Sequence, residues 1–518
     1  MVEPNGDLRM WSWVFLLMYI GIMAICGVLG MRRVKSGDDF ATARGSYGAI
    51  FLSFALVATT ASGATFLGLP AITYKVGLSG LWYAFIYPLG VYGGILLCLR
   101  AVTRAGRIFG NRSIPEYLGD RYQSELLRLS VAIFSLLLLF YLAGQLLAGT
   151  VMFEQMMGIP KFYALAITSG VLLVYIAIGG AHADILTDGI QGALMIIIAL
   201  GVIAMFMFGF GVDGGLGGVL NRLESLDPDT TKVFNPKSSI VNSSWDVFAI
   251  FAAHLPLGML PHIGNKLWAL KDNASRRRFM TLSFVLGLLM PGLALGGLLA
   301  RAVLGDELLT GEYGPNYSIP ALFITLLPSW LAALLGAGVL AAVMSTADGL
   351  AVSASQIFAN DIYRCSLAPR YHKDRGEAYI DKLSLRISRI ATAFVLIGAM
   401  GMAWAFQDLN VALLVWAGIG GMMAALAGPF MLGVFWRRLS RTGALLGFFA
   451  GAIVFIVLKS GGIHGEEGVL AWLSSQSSNP FACATLGGGA SVIVSVLGSL
   501  FSEPLPSEHL DEVFGRED

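Results

Sequence analysis

Long runs of apolar residues follow one another along almost the whole chain and are separated by short polar stretches. A bilayer core about 30 Å thick needs roughly 20 apolar residues per crossing helix. The pattern therefore predicts an all-α integral membrane protein of about 13 transmembrane helices. The windows lie near 10–30, 47–73, 80–103, 127–152, 160–180, 187–210, 245–267, 280–302, 318–358, 385–406, 409–436, 442–459 and 481–501. Because the ninth window is too long for one crossing, we expect a separate helix near 318–328 before the true span.

Composition supports the membrane assignment. Hydrophobic residues make up 56% of the chain and charged residues 13%, whereas soluble domains contain about 25% charged residues. A soluble protein of this size needs more polar residues than this to cover its surface, so the lipid bilayer is the expected environment. This composition also excludes a nucleic-acid partner. The sequence contains no nucleophile–base or metal-ligand motif that would indicate an enzyme.

Basic residues are distributed unevenly between the two sides of the predicted bundle. With residues 31–46 placed inside, 26 of the 34 lysines and arginines fall on inside segments and 8 on outside segments. This bias predicts an N-terminus outside and a C-terminus in the cytoplasm of a bacterial inner (plasma) membrane. Residues 1–501 are then one transmembrane domain, and the acidic residues 502–518 form a short cytoplasmic tail that we expect to be disordered.

The second window changes character near its middle. Residues 56–70 pass from bulky side chains through small and hydroxyl residues to Gly68 and Pro70. A helix can unwind at such a segment, and the freed carbonyls then need a cation or a polar substrate as partner. The alternative is a seam of small residues that lets two helices pack closely.

The seventh window has a similar interruption. Residues 254–262 contain Pro256, Gly258 and Pro261, which break or kink a helix. This break lies five spans after the first one. Paired breaks at that offset are typical of inverted-repeat transporters, and here they match spans 2–6 (about 47–210) with spans 7–11 (about 245–436).

Two hydroxyl residues mark the ninth window. Ala342, Ser345 and Thr346 are spaced i, i+3 and i+4 and so share one helix face. Hydroxyl and carbonyl oxygens suit a hard monovalent cation. Alternatively, both hydroxyls bond back to carbonyls one turn earlier on their own helix.

Two carboxylates fall inside apolar windows, where a charge is costly and is normally functional. Asp188 opens the sixth window, and Asp348 follows the hydroxyl pair. Asp188 is alternatively a helix N-cap at the cytoplasmic interface. Asp348 is alternatively solvated by an inward-facing vestibule.

These residues together resemble the sodium:solute symporter family over residues 30–460. The resemblance rests on Ser62-Gly63, Gly68-Leu69-Pro70, Gly179-Gly180, Thr187-Asp188, Gln191 and residues 342–346. It implies the inverted five-plus-five fold of the leucine-transporter type and Na⁺ as coupling ion. Carried over by position, it implies a sodium site formed by the carbonyls of Ala58, Ala61 and Ala342 and the hydroxyls of Ser345 and Thr346.

The resemblance also bears on a second cation. In the family, the position of Asp188 influences sodium binding and in some members joins a second sodium site. That site uses hydroxyls at the positions of Asp348 and Gly349, and these hydroxyls are missing here. A second sodium site of that kind is therefore in doubt, and Asp348 either replaces it or carries a proton.

Among the branches of the family, the chain looks most like the pantothenate permeases and the neighbouring monocarboxylate carriers. The similarity lies in residues 71–78, 121–124, 158–160 and 260–262. It implies sodium-coupled symport of a small organic solute, a monocarboxylate such as pantothenate. The alternatives are a symporter of lactate, pyruvate, acetate or an amino acid, a proton-coupled carrier and an ion channel.

The substrate is expected at mid-membrane beside the two breaks. No lysine or arginine lies clearly at the centre of a span, so a carboxylate would be bound by helix N-termini, hydroxyls and a histidine. Six residues are candidates, three polar and three aromatic: Thr65, Gln145, His262, Trp82, Tyr83 and Trp416. Substrate identity, ion stoichiometry and oligomeric state stay open.

Overall fold

The computed structural model describes residues 4–272, 274–310, 314–406 and 411–515, which form helices and turns with no β-strand among them. The α-helices are α1 (Gly6–Arg33), α2 (Gly37–Thr42), α3 (Ala49–Thr60), α4 (Leu69–Val76), α5 (Gly80–Ile108), α6 (Ile114–Tyr122), α7 (Glu125–Phe134), α8 (Leu138–Met157), α9 (Lys161–Met207), α10 (Gly215–Leu226), α11 (Ser244–His254), α12 (Pro261–Gly264), α13 (Arg276–Gly287), α14 (Ala294–Leu304), α15 (Glu307–Thr310), α16 (Ser318–Leu326), α17 (Ser329–Gln356), α18 (Ala368–Tyr371), α19 (Glu377–Ala405), α20 (Val411–Leu426), α21 (Arg441–Lys459), α22 (Gly468–Ser475), α23 (Pro480–Leu500) and α24 (Ser507–Phe514).

Shorter helical turns connect these elements. The 3₁₀ turns are Gly77–Ser79, Ser135–Leu137, Pro228–Thr231, Pro256–Met259, Asn265–Ala269, Met290–Leu293, Pro315–Tyr317 and Gln476–Ser478. The π-helical segments are Ala64–Gly68, Ile357–Leu367 and Ala427–Leu432. Wide π turns often occur at functional sites, and the first of them directly follows the break predicted in the second window.

Among the described residues, nine helices are long and apolar enough to cross a bilayer, and ten if the bent pair at Ser244–Met259 and Pro261–Ala269 is one span. A multi-pass membrane protein is therefore confirmed, whereas the count of 13 is not reached on this criterion. Three further apolar helices are too short to be counted on this criterion: Ala49–Thr60, Lys161–Val174 and Gly418–Leu432. The first of them ends at the helix break after Thr60. Residues 409–410 of the eleventh window lie outside the described residues.

The predicted loop at 181–186 is wrong, because these residues are helical within α9. The chain changes direction at Gly180 alone, whose φ of 51° and ψ of −142° interrupt the helix. Glycine adopts this left-handed conformation without a Cβ penalty, so no loop is needed between the two halves.

The ninth window divides as predicted, since α16 ends at Leu326 and α17 begins at Ser329, directly after Pro328. α17 is the central helix of the bundle and packs against α1, α8 and α9. Its segment from Gly338 to Gln356 is buried throughout. α3 packs on both α9 and α17, which places the predicted cation ligands at the centre of the bundle.

The expectation of a disordered tail is wrong. Residues 507–514 form α24, in which Leu510 and Val513 are buried. The ring of Phe514 lies 4.8 Å from the guanidinium carbon of Arg121. The spacing of the apolar residues fits one helix face, so packing against the bundle offsets the acidic composition. Residues 516–518 lie outside the described part of the chain.

The kink at Gly180 supplies a stability test. A Cβ at Gly180 would lie 2.6 Å from Cδ2 of Phe40, in addition to the strain of the left-handed backbone. We expect Gly180→Ala to destabilise the protein by at least about 1–3 kcal/mol, measured as a lower midpoint of thermal unfolding in detergent. Gly170→Ala on the same helix, where a Cβ meets nothing within 4 Å, is the control. Equal midpoints for the two variants would contradict the kink.

Candidate cation and substrate sites

The second span is interrupted where the sequence predicted. α3 ends at Thr60, and Ala61 leaves the helical conformation with φ −94° and ψ 80°. The π-helical turn Ala64–Gly68 and α4 then resume the course toward the other membrane face. Small side chains give this stretch little packing to lose, so the backbone opens at buried depth.

The hydroxyl pair of α17 faces this break. Ser345 Oγ lies 2.9 Å from both the carbonyl oxygen of Ala58 and that of Ala342. Thr346 Oγ1 donates a hydrogen bond to the carbonyl oxygen of Thr59 at 3.1 Å. Both hydroxyl residues are fully buried. Ser345 thus contacts a carbonyl one turn earlier on its own helix and a carbonyl of α3. The hydroxyl pair faces protein rather than lipid.

Three of the predicted sodium ligands, Ser345, Ala58 and Ala342, are therefore in contact across two helices. Ala58 lies on α3, Ala61 follows the end of that helix, and all five residues of the set are at most 1% exposed. The carbonyl and hydroxyl oxygens form a donor set without formal charge, which suits a monovalent hard cation.

A glutamine closes the other side of the break. The backbone amide of Gly63 donates to Gln145 Oε1 at 2.8 Å. The Nε2 of Gln145 is buried and has no hydrogen-bond partner among the described residues. Gln145, expected to bind substrate, therefore supports the broken backbone through its Oε1.

Next to the hydroxyl pair lies a cluster of buried charges. Oxygen atoms of Asp184, Asp188 and Asp348 lie within 4.8 Å of one another. Lys266 Nζ forms ion pairs with Asp184 Oδ2, at 2.9 Å, and with Asp188 Oδ2. The lysine also donates to Thr59 Oγ1 at 2.5 Å. Thr59 thus connects the charged cluster with the helix that carries the predicted sodium ligands.

The burial of this cluster excludes the N-cap alternative for Asp188 and the solvated-vestibule alternative for Asp348. Asp188 lies inside α9 and is fully buried, so it is not an N-cap at the interface. Asp348 is fully buried too, so no open vestibule solvates it. Its Oδ2 accepts from Thr187 Oγ1 at 3.2 Å and its Oδ1 from the amide of Gly349 at 2.8 Å.

Sequence reasoning missed two members of the cluster. Asp184 precedes Asp188 by one helical turn, so the shared face of α9 was a usable signal. Lys266 was counted with a cytoplasmic loop, but the structure buries it to 4% exposure. The expectation that no lysine or arginine lies clearly at the centre of a span overlooked this buried lysine. The break at Pro261 hid Lys266, because it turns the residues after it back into the bundle.

A cavity adjoins the break in the second span. Its described lining is dominated by hydroxyl and aromatic groups: Thr60, Ser62, Ala64, Thr65, Leu69, Tyr83, Tyr87, Tyr141, His254, Leu257, Val415, Trp416 and Ile419. Three predicted substrate residues are among them. Thr65 Oγ1 lies 3.2 Å from the hydroxyl of Tyr87. We call this the central cavity.

His254 lies in the central cavity although it was not among the substrate candidates. Its ring centroid lies 4.9 Å from that of Trp416. Its Nδ1 lies 2.6 Å from the carbonyl oxygen of Ile250, which fixes the ring. The sequence signal was its position just before Pro256, where α11 ends.

Two other candidates lie elsewhere. Trp82 is 37% exposed and donates to the carbonyl oxygen of Val233 at 3.0 Å, because its helix position points away from that of Tyr83. His262 follows the break in the seventh span and lines a different cavity, with Asp184 and Lys266. Neither residue lines the central cavity itself, but the ring centroid of His262 lies 5.5 Å from that of Tyr141, which does.

A third cavity adjoins the central one and shares Tyr83 and Trp416 with it. Lys75 and Lys237 also line this third cavity, which we call the lysine vestibule. Lys237 is paired with Asp227 at 3.0 Å and Asp229 at 2.8 Å. Hydrogen bonds from the Asp229 amide and from Lys237 hold the pKa of Asp227 below its usual value. These carboxylates therefore stay charged and neutralise Lys237.

Comparison with known proteins agrees with this architecture. The sodium:solute symporter family matches residues 40–451. The chain is 28% identical to the sodium/pantothenate symporter of Haemophilus influenzae, over 86% of this chain and 90% of that one. It is also 28% identical to the sodium/proline symporter of Salmonella typhimurium, over 96% and 95%. The fold is that of a Na⁺-coupled sialic acid symporter solved in a substrate-bound outward-open state, with TM-score 0.76, 20% identity and 95% and 98% coverage.

Gln145 can be tested without knowledge of the substrate. Gln145→Leu leaves the amide of Gly63 without its acceptor inside the bundle, so we expect a loss of about 1–3 kcal/mol in stability, measured by thermal unfolding in detergent. Gln155→Leu removes the same group from the same buried helix, away from the break. An equal loss in both variants would show that Gln145 does not support the break.

Proposed function

The chain belongs to the sodium:solute symporter family, and we propose that it carries a small organic monocarboxylate, such as pantothenate, into the cell together with Na⁺. The protein is a sodium-coupled symporter and not an enzyme. The observation that carries the proposed site is the bridge from Ser345 Oγ to the carbonyl oxygens of Ala58 and Ala342 across two helices.

We assign thirteen spans by adding the three shorter apolar helices to the ten that include the bent pair. Spans 2–6 and 7–11 are then inverted repeats within one transporter domain, residues 1–501. The matching breaks after α3 and after α11 support this assignment. The basic residues support an N-terminus outside and a cytoplasmic tail, although Lys266 drops out of the count because it is buried.

In the proposed coupling, the break in the second span takes part in both Na⁺ binding and solute binding. Na⁺ bound by Ala58, Ala61, Ala342, Ser345 and Thr346 holds the end of α3 against α17. The same break presents Ser62 and Thr65 to the central cavity, where the solute binds. Because each ligand fixes the backbone that the other needs, each raises the affinity for the other by the same factor.

The central cavity favours a solute rich in hydrogen-bonding groups. Pantothenate has a carboxylate, an amide and two hydroxyls, and the cavity offers hydroxyls of serine, threonine and tyrosine with His254. The described lining includes no carboxylate that would pair with the ammonium group of proline, the solute of other relatives. The lack of a partner for an ammonium group in this lining favours an anionic solute over an amino acid.

The sodium ligands provide the first test. We expect Ser345→Ala with Thr346→Ala to raise the half-saturating Na⁺ concentration of uptake about tenfold or more, because two oxygen ligands to a buried ion are lost. Ser355→Ala on the same buried helix, where the hydroxyl bonds only to Val352 at 2.7 Å, is the control. Unchanged sodium dependence in the double variant contradicts the site.

The lysine vestibule provides the test of solute charge. We expect Lys75→Ala to raise the KM for an anionic solute several-fold at low ionic strength, because the lysine attracts anions toward the central cavity. The difference should shrink at high salt. The measurement is sodium-driven uptake of labelled pantothenate, lactate, pyruvate, acetate and proline into proteoliposomes, with Lys161→Ala as control. Uptake of proline alone would overturn the monocarboxylate proposal.

A further inference from the structure

The ammonium group of Lys266 lies where a cation would lie. Its hydrogen-bond and ion-pair partners among the described residues are all oxygens: Asp184 Oδ2 at 2.9 Å, Asp188 Oδ2, and Thr59 Oγ1 at 2.5 Å. The lysine side chain is 5% exposed, and those of Asp184 and Asp188 are 4% and 0% exposed. A charged group this deep is stable only because opposite charges surround it.

The oxygens around the lysine are more numerous than one ammonium group satisfies. The second oxygens of Asp184 and Asp188, both named Oδ1, are buried and have no hydrogen-bond partner among the described residues. Asp348 supplies a third carboxylate within 4.8 Å of the other two. Three carboxylates and a hydroxyl, drawn from three helices, are the ligands that a hard metal cation prefers.

We propose that Lys266 is a tethered cation that fills a second cation site formed by Asp184, Asp188, Asp348 and Thr59, so that the wild-type protein binds one Na⁺ and a protein without this ammonium group binds two. The inference rests on the proposed sodium site at Ala58 and Ser345. The ammonium group of Lys266 then occupies the second site permanently and is not transported.

The position of Lys266 in the chain explains how the tether is formed. The segments Ser244–Met259 and Pro261–Ala269 meet at a bend of 55°, and Lys266 in the second segment reaches Asp184 and Asp188 of α9. The ammonium group then reaches Thr59, whose carbonyl oxygen accepts from Thr346. The tethered cation and the proposed sodium site are thus adjacent, and Thr59 of α3 connects them through its hydroxyl and its carbonyl oxygen.

A cavity provides space for a free ion when the lysine is removed. Lys266, Asp184 and His262 line it together with small side chains of α2, α9 and α17, including Ala41, Ala181 and Gly349. At Gly349, a Cβ would lie 3.3 Å from Asp184 Oδ1 and 3.7 Å from Lys266 Nζ. The missing side chain at this position therefore leaves room beside the carboxylates.

Loss of the lysine leaves the same carboxylates without their cation. Buried charges without a partner are costly, so Lys266→Ala should either lose its folded state or take up a cation from solution. Na⁺ restores the charge of the cluster and fits an oxygen-only donor set, as the ammonium group did.

The test counts bound ions directly. Equilibrium binding of ²²Na⁺ to the purified full-length protein should give one Na⁺ per wild-type molecule and two per Lys266→Ala molecule. Lys266→Arg, which keeps a tethered cation, and Lys232→Ala, an exposed lysine paired with Asp229, should both give one. Adding Asp348→Asn to Lys266→Ala should weaken the second ion at least tenfold.

Transport supplies an independent readout. The Hill coefficient for sodium-driven uptake should rise from about 1 toward 2 in Lys266→Ala, and one additional charge should move per solute molecule. A count of two Na⁺ in the wild type, or of one in both wild type and a folded Lys266→Ala, overturns the tethered cation. If Lys266→Ala does not fold, Lys266→Gln and the wild-type count decide the question by the same criteria.

The two proposals fail in different ways. If the wild type binds no Na⁺ and the hydroxyl variants leave uptake unchanged, the proposed sodium site is wrong. If the wild type binds one Na⁺ that Ser345→Ala with Thr346→Ala weakens, that site stands. The behaviour of Lys266→Ala then decides the second site alone.

Discussion

The architecture depends on one constraint: backbone groups freed inside a bilayer must find partners within the protein. α3 ends at Thr60 in the middle of the bundle, and its carbonyls bond to the hydroxyls of Ser345 and Thr346. The amide of Gly63 bonds to Gln145 on α8. The break therefore requires the polar groups of two neighbouring helices, and the buried centre of α17 follows from this requirement.

Thr59 connects the proposed sodium site with the charged cluster of Lys266 and the three aspartates. Its carbonyl oxygen takes part in the contact with α17, and its hydroxyl lies 2.6 Å from Asp188 Oδ2 and 2.5 Å from Lys266 Nζ. A shift of α3 during transport would disturb both at once. If the lysine is a fixed cation, one Na⁺ with one monoanion moves no net charge, and the membrane potential, about 2.3 kcal/mol per charge per 100 mV, adds no driving force.

The cavities are arranged in an order that suits passage of a solute. The lysine vestibule and the central cavity share Tyr83 and Trp416. The rings of Trp416 and Phe481, 4.6 Å apart, pack at this boundary. The cavity beside Lys266 lies past the break and is lined by Asp184 and His262. Aromatic rings thus lie between the lysine vestibule and the proposed solute site.

The sequence alone determined the membrane environment, the positions of the helices, both helix breaks and the hydroxyl pair, because apolar runs, prolines and i, i+3, i+4 spacing are local properties. It could not determine which side chains meet across helices. Lys266 was assigned to a loop and residues 181–186 to a connection. Both errors concern the direction in which the chain continues after a glycine or proline break. Only the packing of α3, α9, α17 and the residues after Pro261 brings the lysine among the three carboxylates, since those residues are distant in sequence and no local pattern links them.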